Sequence, residues 1–431
     1  MVVSHAINNV MNYQQQFTSI INILRPYSEI WQREVIDQFR AGKLDQVYPK
    51  ELIAPLREIT AQEQFKVDCK RIYDSLPESD LKDLFNSLKS LEEVEVIDKE
   101  MTAGIEKLPS WAFHKVKGKK QYEILTIANF LTNLQKNKEI KFKHVVDIGG
   151  GVGHLSRTLA YYFGMDMISL DINPEFQEIG KKRLEKFPKP QGHKNVQFIN
   201  HDFSIDLADE KNEEIFCDNS FSLGLHTCGP LAVKHMQVAA KHQSSGMLNF
   251  GCCYNKLTPK SDINLSNFAK ENNPLEFGRD SCTLATRGHQ SMTYEDFEQK
   301  RKVKYYRYCL QFYIDDIYGQ DKEVMPIGDA HKRLYLGDFA TYAKSKCHEN
   351  NIPINFSDEE FEEYLKKHED ILETLFLCDI IRWQFGRALE LYILIDRVMM
   401  LQEMNKEAKL MSFFDEEESP RNMGIWYYDK E

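Results

Sequence analysis

No apolar run in this chain approaches the ~18 residues a membrane-spanning helix needs, and Met1 to His5 do not open a basic-then-apolar leader. Neither a bilayer span nor secretion is expected. Cysteine is sparse: nine residues, an odd number, with no C-x-x-C pair. That excludes a disulfide framework, leaves no paired zinc motif, and makes cytoplasm or nucleus the expected compartment. Positive charge is also short. Lys and Arg number 55 against 66 Asp and Glu, a net −11, so nucleic acid could be held only by a local basic surface. There is no internal repeat and no low-complexity segment. What the chain does have is 42% apolar residues, ample for a packed core.

The most informative stretch is His144 to Leu155. Val145 and Val146 read as the end of a buried strand closed by Asp147. Gly149, Gly151 and Gly153 follow at alternate positions before an apolar helix begins at Leu155 and Leu159. Residues without side chains let the backbone turn tightly and let a ligand lie against a helix N-terminus. The pattern is D-x-G-x-G-x-G. A dinucleotide fingerprint would need its third glycine where His154 stands, whereas S-adenosylmethionine sites commonly carry the form seen here. The run Met165 to Leu170 then ends in Asp171, placed to accept both ribose hydroxyls of a nucleoside. Another run, Val196 to Ile199, leads to Asp202, a partner for the adenine amino group, and to Phe203, which would stack on the ring. Asp often ends strands for turn chemistry alone. Three acids in order, behind three strands in a βαβαβ rhythm, favour cofactor binding.

The fold class expected is α/β, a Rossmann-like core with a mostly parallel seven-stranded sheet and strands near 144–148, 166–171, 196–200, 220–226 and 246–252. Helical spacing predicts a helical N-terminal domain over 1–110, with Pro26 and Pro77 as breaks. The core is expected over 111–260. A polar loop or lid and helical additions follow over 261–410, among them the very apolar run Leu372 to Leu401. A C-terminal strand, Met423 to Tyr428 within 411–431, completes the sheet.

Ligands in open parallel sheets bind beyond the carboxyl ends of strands. The fourth and fifth core strands end in His226-Thr227-Cys228-Gly229-Pro230 and Cys252-Cys253-Tyr254. Three readings stand open. His226 or Tyr254 orients or deprotonates a methyl acceptor; a cysteine such as Cys253 attacks a pyrimidine ring; or His226, Cys228, Cys252 and Cys253 ligate zinc, a weaker reading because adjacent cysteines chelate poorly. Buried cysteines are also ordinary apolar fillers. The amino-methylation motif Asp/Asn-Pro-Pro-Tyr is absent, which disfavours base amino methylation. Basic residues gather in 114–120 and, interleaved with tyrosines, in 301–308, as an RNA or basic-protein substrate site requires, although such runs are often plain solvated surface.

These segments resemble the methyltransferase-like protein 25 family, also labelled ribosomal RNA adenine dimethylase domain-containing proteins. The likeness rests on Asp147 to Leu155, Lys119-Lys120-Gln121-Tyr122-Glu123, Gly224 to Gly229, Gly251 to Tyr254, the stretch Arg387 to Glu403, and Ser419 to Asn422. It departs where the family tends to have His (here Tyr122) and Asp (here Pro230). The strand ends are also similar to a tRNA ribose 2′-O-methyltransferase family, without its His pair. The resemblance implies a methyltransferase with S-adenosylmethionine as cofactor and a macromolecular acceptor. RNA is the first expectation, a basic protein the second, and a catalytically idle scaffold the third.

Overall fold

Val145, Val146 and Ile148 leave no polar face, and such a strand is stable only when both faces are covered. The computed structural model describes residues 12–137, 140–203, 210–217, 219–242, 244–288, 290–320 and 325–429, and places this strand inside an eight-stranded sheet. The strands are β1 (Glu95–Val96), β2 (His144–Ile148), β3 (Asp166–Asp171), β4 (Val196–Asn200), β5 (Ser220–Cys228), β6 (Gly246–Cys252), β7 (Lys409–Ser412) and β8 (Met423–Tyr428), in the order β1-β7-β8-β6-β5-β2-β3-β4. β2 to β6 are mutually parallel, and β8 runs antiparallel to both β6 and β7. The five expected core strands and the tail strand are all present. The sheet has eight strands instead of seven because the two-residue β1 pairs with β7 at the edge.

Successive residues of β2 point to opposite faces. Val145 joins a core with Ile124, Ile127 and Leu131 of α1 (Gly118–Lys136) and Leu155 and Leu159 of α2 (His154–Tyr162). Val146 joins a second core with Leu170, Phe216 and Val238 on the other side. Each such Leu or Val stabilises the layer by about 1.5–3 kcal/mol. Two further helices cover the sheet, α3 (Pro174–Lys186) and α4 (Pro230–Lys241). Pro230 occupies the first turn of α4, where its missing N–H costs nothing, so its departure from the family pattern has a structural reason. Tyr122 is likewise structural: its Oη accepts from the Asp415 N–H at 3.0 Å.

Contacts divide the chain into two units. One contains 1–22, 91–291 and 388–431; the other contains 23–90 and 292–387. These boundaries differ from the four consecutive segments expected, because the early helices and those of 292–387 form one helical unit while the last stretch returns to the sheet unit. In the helical unit, Arg40 pairs with Asp315 at 2.8 Å, and Lys304 and Tyr308 meet the buried Asp379 at 3.1 and 2.7 Å. The stretch 260–290, expected as a loop or lid, contains short helices over Pro259–Asp262, Asn267–Glu271 and Arg279–Ala285. The buried Asp396 anchors them by accepting from the Leu265 and Ser266 amides at 2.7 and 2.9 Å. No helix among the described residues is long and apolar enough to cross a membrane.

Candidate active site

The glycine loop leaves β2 with positive φ at Gly149 (+68°), Gly151 (+57°) and Gly153 (+70°). Gly153 is where the requirement is steric as well as conformational. A Cβ there would lie 2.5 Å from Phe198 Cζ, and Phe198 is held from the other side by Gly180, whose own Cβ would also come to 2.5 Å. At Gly151 a Cβ would meet nothing within 4 Å, so this part of the loop faces open space. The amides of Gly150, Gly151 and Gly153 already donate to Leu170 O, Asp171 Oδ2 and Gly150 O. The loop therefore offers bare surface more than free donors.

Asp147 lies beneath this loop, 3% exposed, and accepts from Ser156 Oγ at 2.6 Å. Burial raises its carboxyl to about 6, against the lowering effects of Ser156 and the Lys120 ammonium. Asp171 ends β3 with Oδ2 accepting from Gly151 N–H at 2.9 Å and Oδ1 from Asn173 N–H at 2.8 Å. Each oxygen keeps a further lone pair. Asp202 is exposed just past β4. Phe203 packs on the core cluster of Val146, Ile148 and Leu170, edge-on to Phe216 at 5.5 Å. One feature was not anticipated: Ile172, beside Asp171, is 62% exposed, and Phe176 and Ile179 continue an exposed apolar stripe. Its signal in the sequence is an isoleucine between a strand-ending acid and the Asn173-Pro174 helix start.

On the far side of β2, the register of β5 against β6 slips between Leu225 and Thr227, and His226 sits at that bulge with φ +63°. Bulges re-aim side chains. Here the imidazole Nε2 meets Glu123 Oε2 at 2.8 Å, and Ser419 Oγ donates to Glu123 Oε1 at 2.7 Å. The Glu123 side chain is fully buried, with Lys119 Nζ 3.8 Å away. Burial opposes its ionisation, but His226, Ser419 and Lys119 outweigh that and hold the carboxyl below its ordinary range. An ionised Glu123 places the proton on Nε2 and leaves Nδ1 as the basic nitrogen, on a side chain 26% exposed.

Tyr254 does not serve as expected. It is 1% exposed, and its hydroxyl donates to Glu390 Oε1 at 3.1 Å; burial, chiefly, pushes its pKa far up. A phenol enclosed in this way has no acceptor to face. Cys253 is half-buried at φ +52°, and its Sγ lies 3.3 Å from Cys228 Sγ and 3.6 Å from Cys252 Sγ. Hydrogen bonding with Cys252, against burial, and then with Cys253 lowers the Cys228 thiol to about 5. The structure thus joins three of the four residues of the zinc reading and removes the objection to adjacent cysteines.

The two basic segments differ. In 114–120, His114, Lys115, Lys117 and Lys119 are exposed. In 301–308, Arg301 donates to Gln64 at 2.7 Å, Lys302 to Gly337 O at 2.9 Å, Lys304 pairs with Asp379, and Arg307 meets Gly328 O at 3.2 Å. The cations of that second segment are engaged internally.

Residues 119–260 match a family model described as a methyltransferase domain. The probable methyltransferase-like protein 25 of Mus musculus is 24% identical over 235 residues, covering 51% of this chain and 39% of that protein. Its Homo sapiens counterpart is 24% identical over 269 residues, covering 58% and 43%. The chain thus spans about two fifths of the length of these relatives. Among solved structures, magnesium protoporphyrin IX methyltransferase from Synechocystis with bound SAM aligns at a TM-score of 0.24 and 13% identity, covering 35% of this chain and 66% of that one. The loop and strand order are Rossmann-like, and residues 119–260 match a methyltransferase-domain model in a chain similar to methyltransferase-like protein 25.

Proposed function

We propose that the chain is an S-adenosylmethionine-dependent methyltransferase acting on a macromolecular acceptor. The single observation that carries this is the junction of Gly151 with Asp171: bare backbone facing open space, beside a carboxylate with lone pairs to spare. The cofactor fits these residues. Its methionine end has room against Gly149 to Gly153, and the buried Asp147, lifted by desolvation, suits a cationic neighbour such as its ammonium group. Asp171 would take the ribose, with Asp202, Phe203 and the exposed Ile172 around the adenine. When bound, the sulfonium supplies an intrinsically activated methyl group, so the protein has mainly to align an acceptor and exclude water. His226, oriented by Glu123 and Ser419, holds or removes the acceptor's proton at Nδ1.

RNA is the acceptor we propose first, supported by the exposed lysines of 114–120 and by Lys120, close enough to Asp147 to lower its pKa. A basic protein is the second reading, favoured by the net charge of −11 and by the internally engaged cations of 301–308. Asp171→Ala is expected to weaken adenosyl-ligand binding about 100-fold, through loss of charge-assisted hydrogen bonds; unchanged affinity by calorimetry would refute the placement. Tritiated methyl transfer into cell extract, followed by nuclease or protease digestion, separates the acceptors. Label removed by nuclease means RNA, label removed by protease means protein, and no label means the fold is retained without catalysis.

A further inference from the structure

Consecutive strand residues point to opposite faces, so Cys252 and Cys253 would normally diverge. They do not. The chain leaves β6 at Cys253 in the left-handed region, φ +52° and ψ +49°, a conformation an L-residue with a side chain adopts only under constraint. That turn brings its Sγ to 3.6 Å from Cys252 Sγ. Register supplies the third sulfur: Cys228 pairs with Cys252 across β5 and β6, past the bulge at His226, and their sulfurs lie 3.5 Å apart. With Cys228 to Cys253 at 3.3 Å, the three form a nearly equilateral triangle. Two non-glycine residues take positive φ here, Cys253 within the cluster and His226 two residues before Cys228. Neither Cys228 nor Cys253 is fully buried, so an ion can reach it.

We propose that Cys228, Cys252 and Cys253 bind one thiophilic cation of the zinc type as three thiolates. With metal–sulfur bonds of ~2.3 Å, an ion equidistant from the three sulfurs would stand about 1 Å out of their plane. No sulfur has to move far to receive it. Up to three thiol protons pass to solvent as the thiolates coordinate. Three protein ligands leave a fourth position for water or an incoming nucleophile, on the same sheet edge as His226.

Cadmium tests this on the full chain, reduced and stripped of metal, through its thiolate charge-transfer absorption in the ultraviolet. One equivalent is expected to bind, to be displaced by zinc, and to be lost in both Cys228→Ser and Cys253→Ser. Cys217→Ser, on a half-buried cysteine away from the cluster, keeps it. Circular dichroism and adenosyl-ligand binding establish that each variant is folded. Cys253 lies beyond the strand end, so its variant remains informative if Cys228→Ser unfolds. No uptake by the unaltered chain, or uptake that survives both substitutions, overturns the proposal. Cofactor binding is read with a different ligand, so either outcome leaves that reading separately testable.

Discussion

The two parts of the sheet's carboxyl edge are built by opposite means. At the tips of β2 and β3, positive φ is met by glycines, and the key contacts join residues close in sequence: Ser156 to Asp147, and Gly151 to Asp171. At the tips of β5 and β6, positive φ falls on His226 and Cys253, and the partners come from far away: Glu123 for His226, Ser419 for Glu123. A site made of backbone can be local, because it needs only shape. One made of oriented side chains must recruit support from wherever the fold brings it.

Within the first region, the sharpest test separates two glycines. Gly153→Ala combines left-handed strain with a clash against the clamped Phe198, and should cost about 4 kcal/mol. Gly151→Ala carries the strain alone, at about 1 kcal/mol. Urea denaturation midpoints measure both. Equal losses would show that the loop is only a turn.

The comparison also predicts opposite pH dependence. Asp147 has its carboxyl raised from 3.8 to about 6, so it contributes stability below about pH 4 that is lost as pH rises through 6, about 3 kcal/mol in all. Asp147→Asn should flatten that decline. Glu123 is held below 4.5; its contribution is present above that value and is lost as pH falls further. Glu123→Gln should therefore flatten only the acid limb. Melting temperature against pH reads both, and exchanged signs would break the contrast.

Catalysis gives a smaller effect than Gly153→Ala or the Asp147 titration. Glu123 positions His226 without touching the cofactor loop, so Glu123→Gln should lower kcat about tenfold, about 1.4 kcal/mol, and leave the KM for the cofactor unchanged. A rise in that KM would mean that the two regions are not independent.

This contrast explains what the sequence made legible. β2 and β6 announced themselves because doubly buried strands are continuous apolar runs, whereas β4, at the sheet edge, is only part-buried and was read from its short apolar run. Asp147, the glycines and Asp171 could be named because their spacing lies within one βαβ unit. β7 escaped notice: Lys409-Leu410-Met411-Ser412 is too short to carry a period and is defined by its pairing with β8 and β1. Glu123 sat in plain view within the Lys119-Lys120 element, yet nothing in the order of residues ties it to His226 or Ser419. Tyr254 lies inward, on Glu390, because a residue after a strand tip can turn inward as easily as outward. Cys253 turned the other way, through one backbone angle that no pattern encodes.

The position of β8 has a consequence for how the chain is made. This strand lies between β6 and β7, so β6 keeps a bare edge until residues 423–428 have left the ribosome. At ordinary translation speeds the wait after Cys252 is on the order of ten seconds or more. Through that interval Glu123 also lacks its partner at 419. A nascent chain cut short before this point would carry the whole cofactor loop and still be unable to hold its histidine in place, so premature termination should yield sticky, inactive fragments instead of weak enzymes.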